Sequence, residues 1–409
     1  MKNYYMSILA VLLFTIIIPS ALSADSGEWI RKGYYNGGFR KAAASFTIGD
    51  MAYVGTGSND MPYEYRRDFY KYNPQIDGWT KIAELPSFAE ARDQAIGFSV
   101  NGKGYVVGGE KYGLLGNNCL QDCWEYNPQN NIWYQRADFP RLMKCGVSFT
   151  IGNKAYVGLG VDEYLRPYSD FYEFDPATNK WKQLNDFPGT HRENAVAFSL
   201  NGKGYVGLGF MFDAKINRIN FTDFWEYDPT TDAWSRLKDF PGVGRFSAMG
   251  YGLGKYCYVG LGKPNDFYRY DTETKEWEPL GYLPGEGRDV AYSFCVNKKI
   301  YYGGGEGSKT VYSDLWEFNK SDLSTGVEYV KTTSIYIYPN PVVEGFTIQE
   351  SAGATSVILT DLSGKQVLKQ KITENQTYVP LNRIAKGIYV VSLLDKNGTS
   401  IYQDKIIKE

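Results

Sequence analysis

The sequence predicts an all-β chain: a six-bladed β-propeller closed by its N-terminal strand, followed by a small β-sandwich. Three observations carry this expectation. The string "DFWEYDPTTDAW" at 223–234 recurs with the same aromatic pattern from Asp68, Asp122, Asp170 and Asp266, and in truncated form from Asp314. A glycine-closed signature precedes every copy: "YVGTG" at 53, "YVVGG" at 105, "YVGLG" at 156, 205 and 258, and "YYGGG" at 301. Beyond about residue 326 both signals stop and a different alternation begins.

In chain order, residues 1–24 read as a secretory signal peptide. Lys2 supplies the positive start, "MSILAVLLFTIII" the apolar centre and "PSALSA" the small-residue cleavage region. The apolar run is too short to span a bilayer as a helix, so no transmembrane segment is expected in the mature chain.

Residues 25–326 form the repeat. The Asp anchors lie 43 to 54 residues apart. Before each glycine signature comes an apolar run ending in a tight turn, as in "AIGFSVNGK" and "AVAFSLNGK", where Asn-Gly supplies the positive-φ pair of a two-residue hairpin. Each module therefore holds four strands, A to D; in the fourth module these are 193–200, 203–209, 223–228 and 233–237. Such a sheet is covered on both faces by its neighbours, which explains apolar residues on both sides, glycines where blades meet and a Trp filling the wedge. Trp79, Trp133, Trp181, Trp234 and Trp277 occupy one place in five modules, whereas the sixth has Thr325 there. The missing Trp is Trp29, in "GEWIRKG", so the first strand is expected to complete the last blade and leave no free edge. The pattern resembles the kelch repeat from residue 27 to about 326.

A linker is read at 327–333, then a second domain at 334–409. "YPNP", "DLSGKQV", "KGIYVV" and a Lys-rich last strand resemble the C-terminal sorting domain of the type IX secretion system. That resemblance implies a Bacteroidota-type bacterium, the type IX machinery as partner, and a secreted or surface-attached protein. A carbohydrate-binding or spacer module of immunoglobulin type is the alternative for this segment.

The totals narrow the chemistry. With 44 basic and 46 acidic residues, no charge argument points to nucleic acid or an anionic membrane. Of the five cysteines, Cys123, Cys145, Cys257 and Cys295 fall at ordinary repeat positions; the set reads as small buried hydrophobes, with a local Cys119–Cys123 bridge left open. Galactose oxidase, the kelch enzyme with a copper site, needs two His, and this chain has one, His191. No metal, cofactor or catalytic residue is expected, and His191 reads as a rim residue. Sialic-acid mutarotases, another class of kelch enzyme, need only acid–base groups near the channel.

The D–A and B–C connections emerge on one face. Counting back from the strand-A aromatic puts Arg40, Arg92, Met143, Arg192, Arg245 and Arg288 at one place in the D–A connections. The B–C connections are long in blades 1 to 4 and carry Tyr63, Tyr65, Tyr164 and Tyr168, whereas blade 5 has only "KPN", so a cleft open toward blade 5 is expected. The five arginines and four tyrosines are the candidate ligand-binding residues, suited to a carboxylated or sulfated glycan or an acidic peptide. The competing reading is that each Arg staples blades locally. "EARD", "HRE" and "GEGRD" place carboxylates beside Arg92, Arg192 and Arg288, while Arg40 and Arg245 lack such neighbours. The functional expectation is a non-catalytic glycan- or protein-binding propeller, with an enzyme acting on an acidic sugar, or a structural surface protein, as alternatives.

Overall fold

The structure, a computed structural model, describes residues 27–59, 64–113, 116–320, 336–338, 341–349, 354–361, 365–372, 376–396, 398 and 400–409. The signal peptide, Tyr63, the 327–333 linker and Thr325 lie outside these residues. The chain divides into two compact units at Thr325/Gly326, and among the described residues every regular element is a β-strand.

The first unit contains six four-stranded antiparallel sheets. Blade 4 is typical, with strands Val196–Leu200, Lys203–Gly207, Phe224–Asp228 and Ala233–Arg236 in sequential order. Its strand A begins at Val196 rather than 193, because Asn194 turns the backbone left-handed at φ 51°. The A–B turns follow their sequence signal: Asn201 and Gly202 take φ of 51° and 76°, which matches the twist of the flanking strands.

The sixth sheet combines Tyr292–Val296, Lys299–Gly303 and Leu315–Asn319 with Glu28–Lys32 as its outermost strand, Trp29 lying opposite Phe318. Trp29 is 5% exposed, and its ring centroid lies 5.1 Å from that of Phe318 and 5.5 Å from that of Phe267 in blade 5. The first strand thus finishes one blade and packs on the one before it. In blades 2 and 3 the equivalent Trp, unlike Trp29, donates across the seam, Trp133 to the Ala83 carbonyl at 2.8 Å and Trp181 to Ala137 at 2.9 Å.

The core lies between blades. Phe149, Tyr156 and Phe171 of blade 3 pack with Val206 and Tyr227 of blade 4, the same pairing the other seams repeat. The innermost strands enclose a channel of about 460 Å³, lined by small residues such as Ser45, Gly97, Ser148, Ala197 and Ser293.

The second unit is two sheets, Tyr336–Tyr338/Gly345–Gln349/Gln376–Pro380 and Gln366–Lys371/Ser356–Asp361/Gly387–Leu394/Ser400–Lys408. Phe346, Val357, Val379, Val391 and Ile406 are fully buried in its core. All five cysteines are free thiols, so the Cys119–Cys123 bridge does not form.

Candidate functional site at the channel mouth

The aspartate that opens each repeat is the counter-ion of the arginine in the same blade. Arg40 binds Asp68 through both terminal nitrogens at 2.8 and 3.1 Å, Arg92 binds Asp122 at 2.5 and 2.7 Å, and Arg192 binds Asp223 at 2.5 and 2.8 Å. Arg245 pairs with Asp266, and Arg288 with Asp314 at 2.5 Å. One nitrogen of each also donates to the backbone carbonyl sixteen residues on, as Arg92 does to Gly108 at 3.1 Å. Blade 3, with Met143 in this place, recruits Arg141 from two residues upstream to bind Asp170.

This corrects the expectation that these guanidiniums ring the rim. Arg40, Arg92, Arg192 and Arg245 are fully buried and Arg288 is 2% exposed. Arg40 and Arg245, which have no carboxylate beside them in sequence, find counter-charges in Asp68 and Asp266 across the sheet. Although burial works to raise the pKa of Asp122, Asp223 and Asp266, bonding to arginine outweighs it and holds all three below the usual carboxylate range. A buried bidentate pair fixes the D–A connection to strand C; it leaves little for a ligand.

Two residues after each arginine position the chain turns left-handed without glycine. Ala42, Gln94, Cys145, Asn194, Ser247 and Val290 have φ between 46° and 56°. Each such residue carries strain of order 1 kcal/mol, which persists where surrounding structure enforces it. The enforcement is a chain of backbone bonds from blade to blade: Ala42 N–H to Val290 O at 2.7 Å, Gln94 to Ala42 at 2.9 Å, Cys145 to Gln94 at 3.2 Å, Asn194 to Cys145 at 2.9 Å and Ser247 to Asn194 at 3.1 Å. These residues frame a mouth of about 180 Å³, polar over blades 2 to 5 and apolar at Ala42 and Val290.

Just outside this ring runs a belt of side chains joining neighbouring blades. Each link joins the residue after one blade's glycine pair to the residue after the next blade's arginine position. Ser58 donates to Asp93 at 2.7 Å, Lys144 pairs with Glu110, Phe210 packs on Phe246 at 4.9 Å, Lys263 pairs with Asp289 at 2.9 Å and Lys41 with Glu306 at 2.8 Å. By the repeat's register the sixth link sets Val161 against Glu193, and an apolar residue cannot answer a carboxylate. Asp93 of "EARD", Glu193 of "HRE" and Asp289 of "GEGRD" therefore stand in this belt rather than against the adjacent arginines, while Glu90 pairs with Lys111 and Glu286 accepts from Ser308 and Tyr312.

Two belt carboxyls are perturbed. Burial pushes Asp93 up from 3.8 to about 7, with the Glu110 charge adding and the Ser58 bond, Lys144 and Lys41 opposing. It is 4% exposed, and its Oδ1 has no hydrogen-bond partner among the described residues. Burial also raises Glu193, against the Cys145 thiol and Lys144. A carboxyl that titrates near neutrality can both give and take a proton. No group of three or more His, Cys, Asp or Glu among the described residues could hold a metal ion.

Comparison with known proteins fits this geometry. Residues 41–259, more than half of the chain, match the KLHDC2/KLHL20/DRC7 kelch-repeats domain. The chain belongs to the kelch-repeat family. Residues 336–409 match the secretion system C-terminal sorting domain, so this kelch protein carries a type IX sorting tail. That tail supports a secreted or cell-surface location in a Bacteroidota-type bacterium. The chain is 33% identical over 156 residues to an N-acetylneuraminate epimerase of Pasteurella multocida (strain Pm70), covering 37% of this chain and 38% of that protein. It is 27% identical over 211 residues to the enzyme of that name from Haemophilus influenzae (strain 86-028NP), covering 51% and 49%. The chain thus spans half or less of these curated relatives. The solved structure of YjhT superposes with a TM-score of 0.59 at 19% identity, covering 69% of this chain and 96% of that one, which shows the fold.

The tyrosines of the kelch rim are dispersed. Tyr65 reaches Glu110 at 3.4 Å, beside the belt; Tyr164 is 70% exposed; Tyr168 lies under Arg141 at 4.8 Å. His191 is exposed. Three of the long B–C connections fold into two-stranded ribbons, Ser58–Asn59/Glu64–Tyr65, Glu110–Gly113/Gly116–Cys119 and Phe210–Phe212/Arg218–Asn220. Sequence reasoning passed over Asp93 and Glu193. The signal that could have found them is that the residue after each arginine position changes charge from blade to blade while the arginine before it repeats in five of the six.

Proposed function

We propose that this secreted kelch propeller acts on an acidic sugar at the channel mouth, interconverting its ring forms by acid–base catalysis with Asp93. The observation that carries the reading is the buried Asp93 carboxyl, raised to about 7 with one oxygen unpartnered, next to the strained ring of the mouth. Opening a cyclic hemiketal requires a base to take the anomeric hydroxyl proton and an acid to give one to the ring oxygen. The C–O bond then breaks to a carbonyl, and reclosure on the other face returns both protons. A carboxyl near neutral pKa populates both the acid and the base form at one pH, and Glu193 supplies a second raised carboxyl on the far side of Cys145. The likeness to N-acetylneuraminate epimerases supports this class of substrate.

The test follows anomer exchange of N-acetylneuraminate by proton NMR. The wild-type chain should accelerate exchange over buffer, and Asp93→Asn should reduce the enzymatic rate at least a hundredfold, within the range general acid–base catalysis contributes. A wild-type rate equal to buffer would refute the reading.

The second reading is the non-catalytic binder. It is favoured by Phe88, Tyr112, Tyr164 and Ile216, which are between 70% and 80% exposed on the face that carries the D–A and B–C connections.

A further inference from the structure

We propose that a cavity at the edge of blade 6 is a binding site for a carboxylate-bearing sugar residue, separate from the channel mouth. The cavity measures about 280 Å³ and is walled by Tyr34, Phe39, Tyr312 and Trp316, with Arg31 and Arg288 among its lining residues. None of these belongs to the ring or the belt, so the site does not depend on the reading of the mouth.

The argument starts from what its charged groups already do. In blades 2, 4 and 5 the arginine Nε donates to the carbonyl two residues upstream, at 3.0, 2.8 and 3.0 Å for Arg92, Arg192 and Arg245. In blade 6 this bond is absent: Arg288 is 2% exposed, and its Nε has no partner among the described residues. Arg288 also holds Asp314 through one nitrogen, whereas Arg92 and Arg192 hold theirs through two. Its guanidinium keeps unused donor capacity beside a cavity.

Arg31 is the second cation. It is exposed, pairs with no carboxylate among the described residues, and lies over the rings of Tyr34 at 5.0 Å and Trp316 at 5.9 Å. The acidic groups of the cavity are committed. Glu286 accepts from Ser308 and from Tyr312 at 2.5 Å, and these bonds lower it to about 2. Asp314 accepts from Arg288 and from the Trp316 indole at 2.8 Å. The charges of the lining balance, Arg31 and Arg288 against Glu286 and Asp314, so what the cavity offers a ligand is guanidinium N–H donors between aromatic walls.

That combination selects the ligand class. Guanidinium N–H groups recognise a carboxylate in a plane. Aromatic faces, of which Phe39 is 60% exposed, take the C–H face of a pyranose ring. A volume near the lower end of ligand pockets, about 300 Å³, suits a single sugar unit.

The experiment titrates the full-length chain with glucuronate, glucose and acetate, following the Trp316 indole N–H signal by NMR, assigned through Trp316→Phe. Glucuronate should shift this signal saturably, while glucose and acetate should not. Arg31→Gln should weaken glucuronate at least tenfold, Arg31→Lys less, and Asp93→Asn not at all. If Arg31→Gln fails to fold, Phe39→Ala, on an exposed connection, should give the same loss. No shift with glucuronate, an equal shift with glucose, or a loss in Asp93→Asn that Arg31→Gln does not share would overturn the inference.

Discussion

Replacing Asp93 by Asn should make the propeller more stable, by an amount that grows with pH. The unfolded chain releases the Asp93 proton near 3.8 and the folded chain near 7, because burial disfavours the charge. Between these values the folded state holds a proton the unfolded state has lost, so stability falls as pH rises and the full penalty is present above the folded pKa. At about 1.36 kcal/mol per unit, the penalty is about 1 kcal/mol at pH 4.5 and about 4 kcal/mol at pH 8. Asparagine keeps the size and can still accept from Ser58, whose hydroxyl lies 2.7 Å from Oδ2. Urea unfolding of both proteins, followed by tryptophan fluorescence at pH 4.5 and pH 8, measures the difference. The variant should gain roughly 3 kcal/mol more at pH 8 than at pH 4.5. A gain independent of pH, or a variant less stable at pH 8, would refute the reasoning.

Asp223→Asn should behave in the opposite sense. Arg192 is fully buried against Asp223, and stranding its charge costs about 3–5 kcal/mol at pH 7. Because the Asp223 carboxyl is held low, that difference should shrink as pH falls below about 4, which urea unfolding extended to about pH 3 reads. Trp29→Ala should destabilise the whole propeller by roughly 3–5 kcal/mol; a melting curve with an unchanged main transition would mean closure rests elsewhere. Deletion of 334–409 should retain the protein inside the outer membrane, and cell fractionation showing normal surface appearance would refute the sorting role.

The repeat made the fold readable because its physics is local. The Asn201-Gly202 turn, the alternation in Val196–Leu200 and the displaced Trp29 each report a backbone requirement met within a few residues or one period. The site was not readable in the same way. Arg40 meets Asp68 across 28 positions and Arg245 meets Asp266 across 21, so a search for neighbouring carboxylates finds these two arginines no partner. The strained mouth residues are ordinary letters, Ala42, Gln94 and Cys145, with nothing in their identity to announce a left-handed backbone. Asp93 and Asp289 look alike in sequence, each following an arginine. Only the residue facing them across the seam, Ser58 or Lys263, decides that one meets a neutral hydroxyl and the other an ammonium.

The central claim is that the mouth tunes Asp93 to exchange protons near neutral pH, and its carboxyl can be titrated directly. Aspartate side chains labelled with 13C at the carboxyl, with the Asp93 resonance assigned by its disappearance in Asp93→Asn, would be followed from pH 3 to pH 9. The account predicts a midpoint near 7 for that resonance and midpoints below the usual range for Asp122, Asp223 and Asp266. A midpoint for Asp93 near the unperturbed aspartate value, about 3.9, would contradict it.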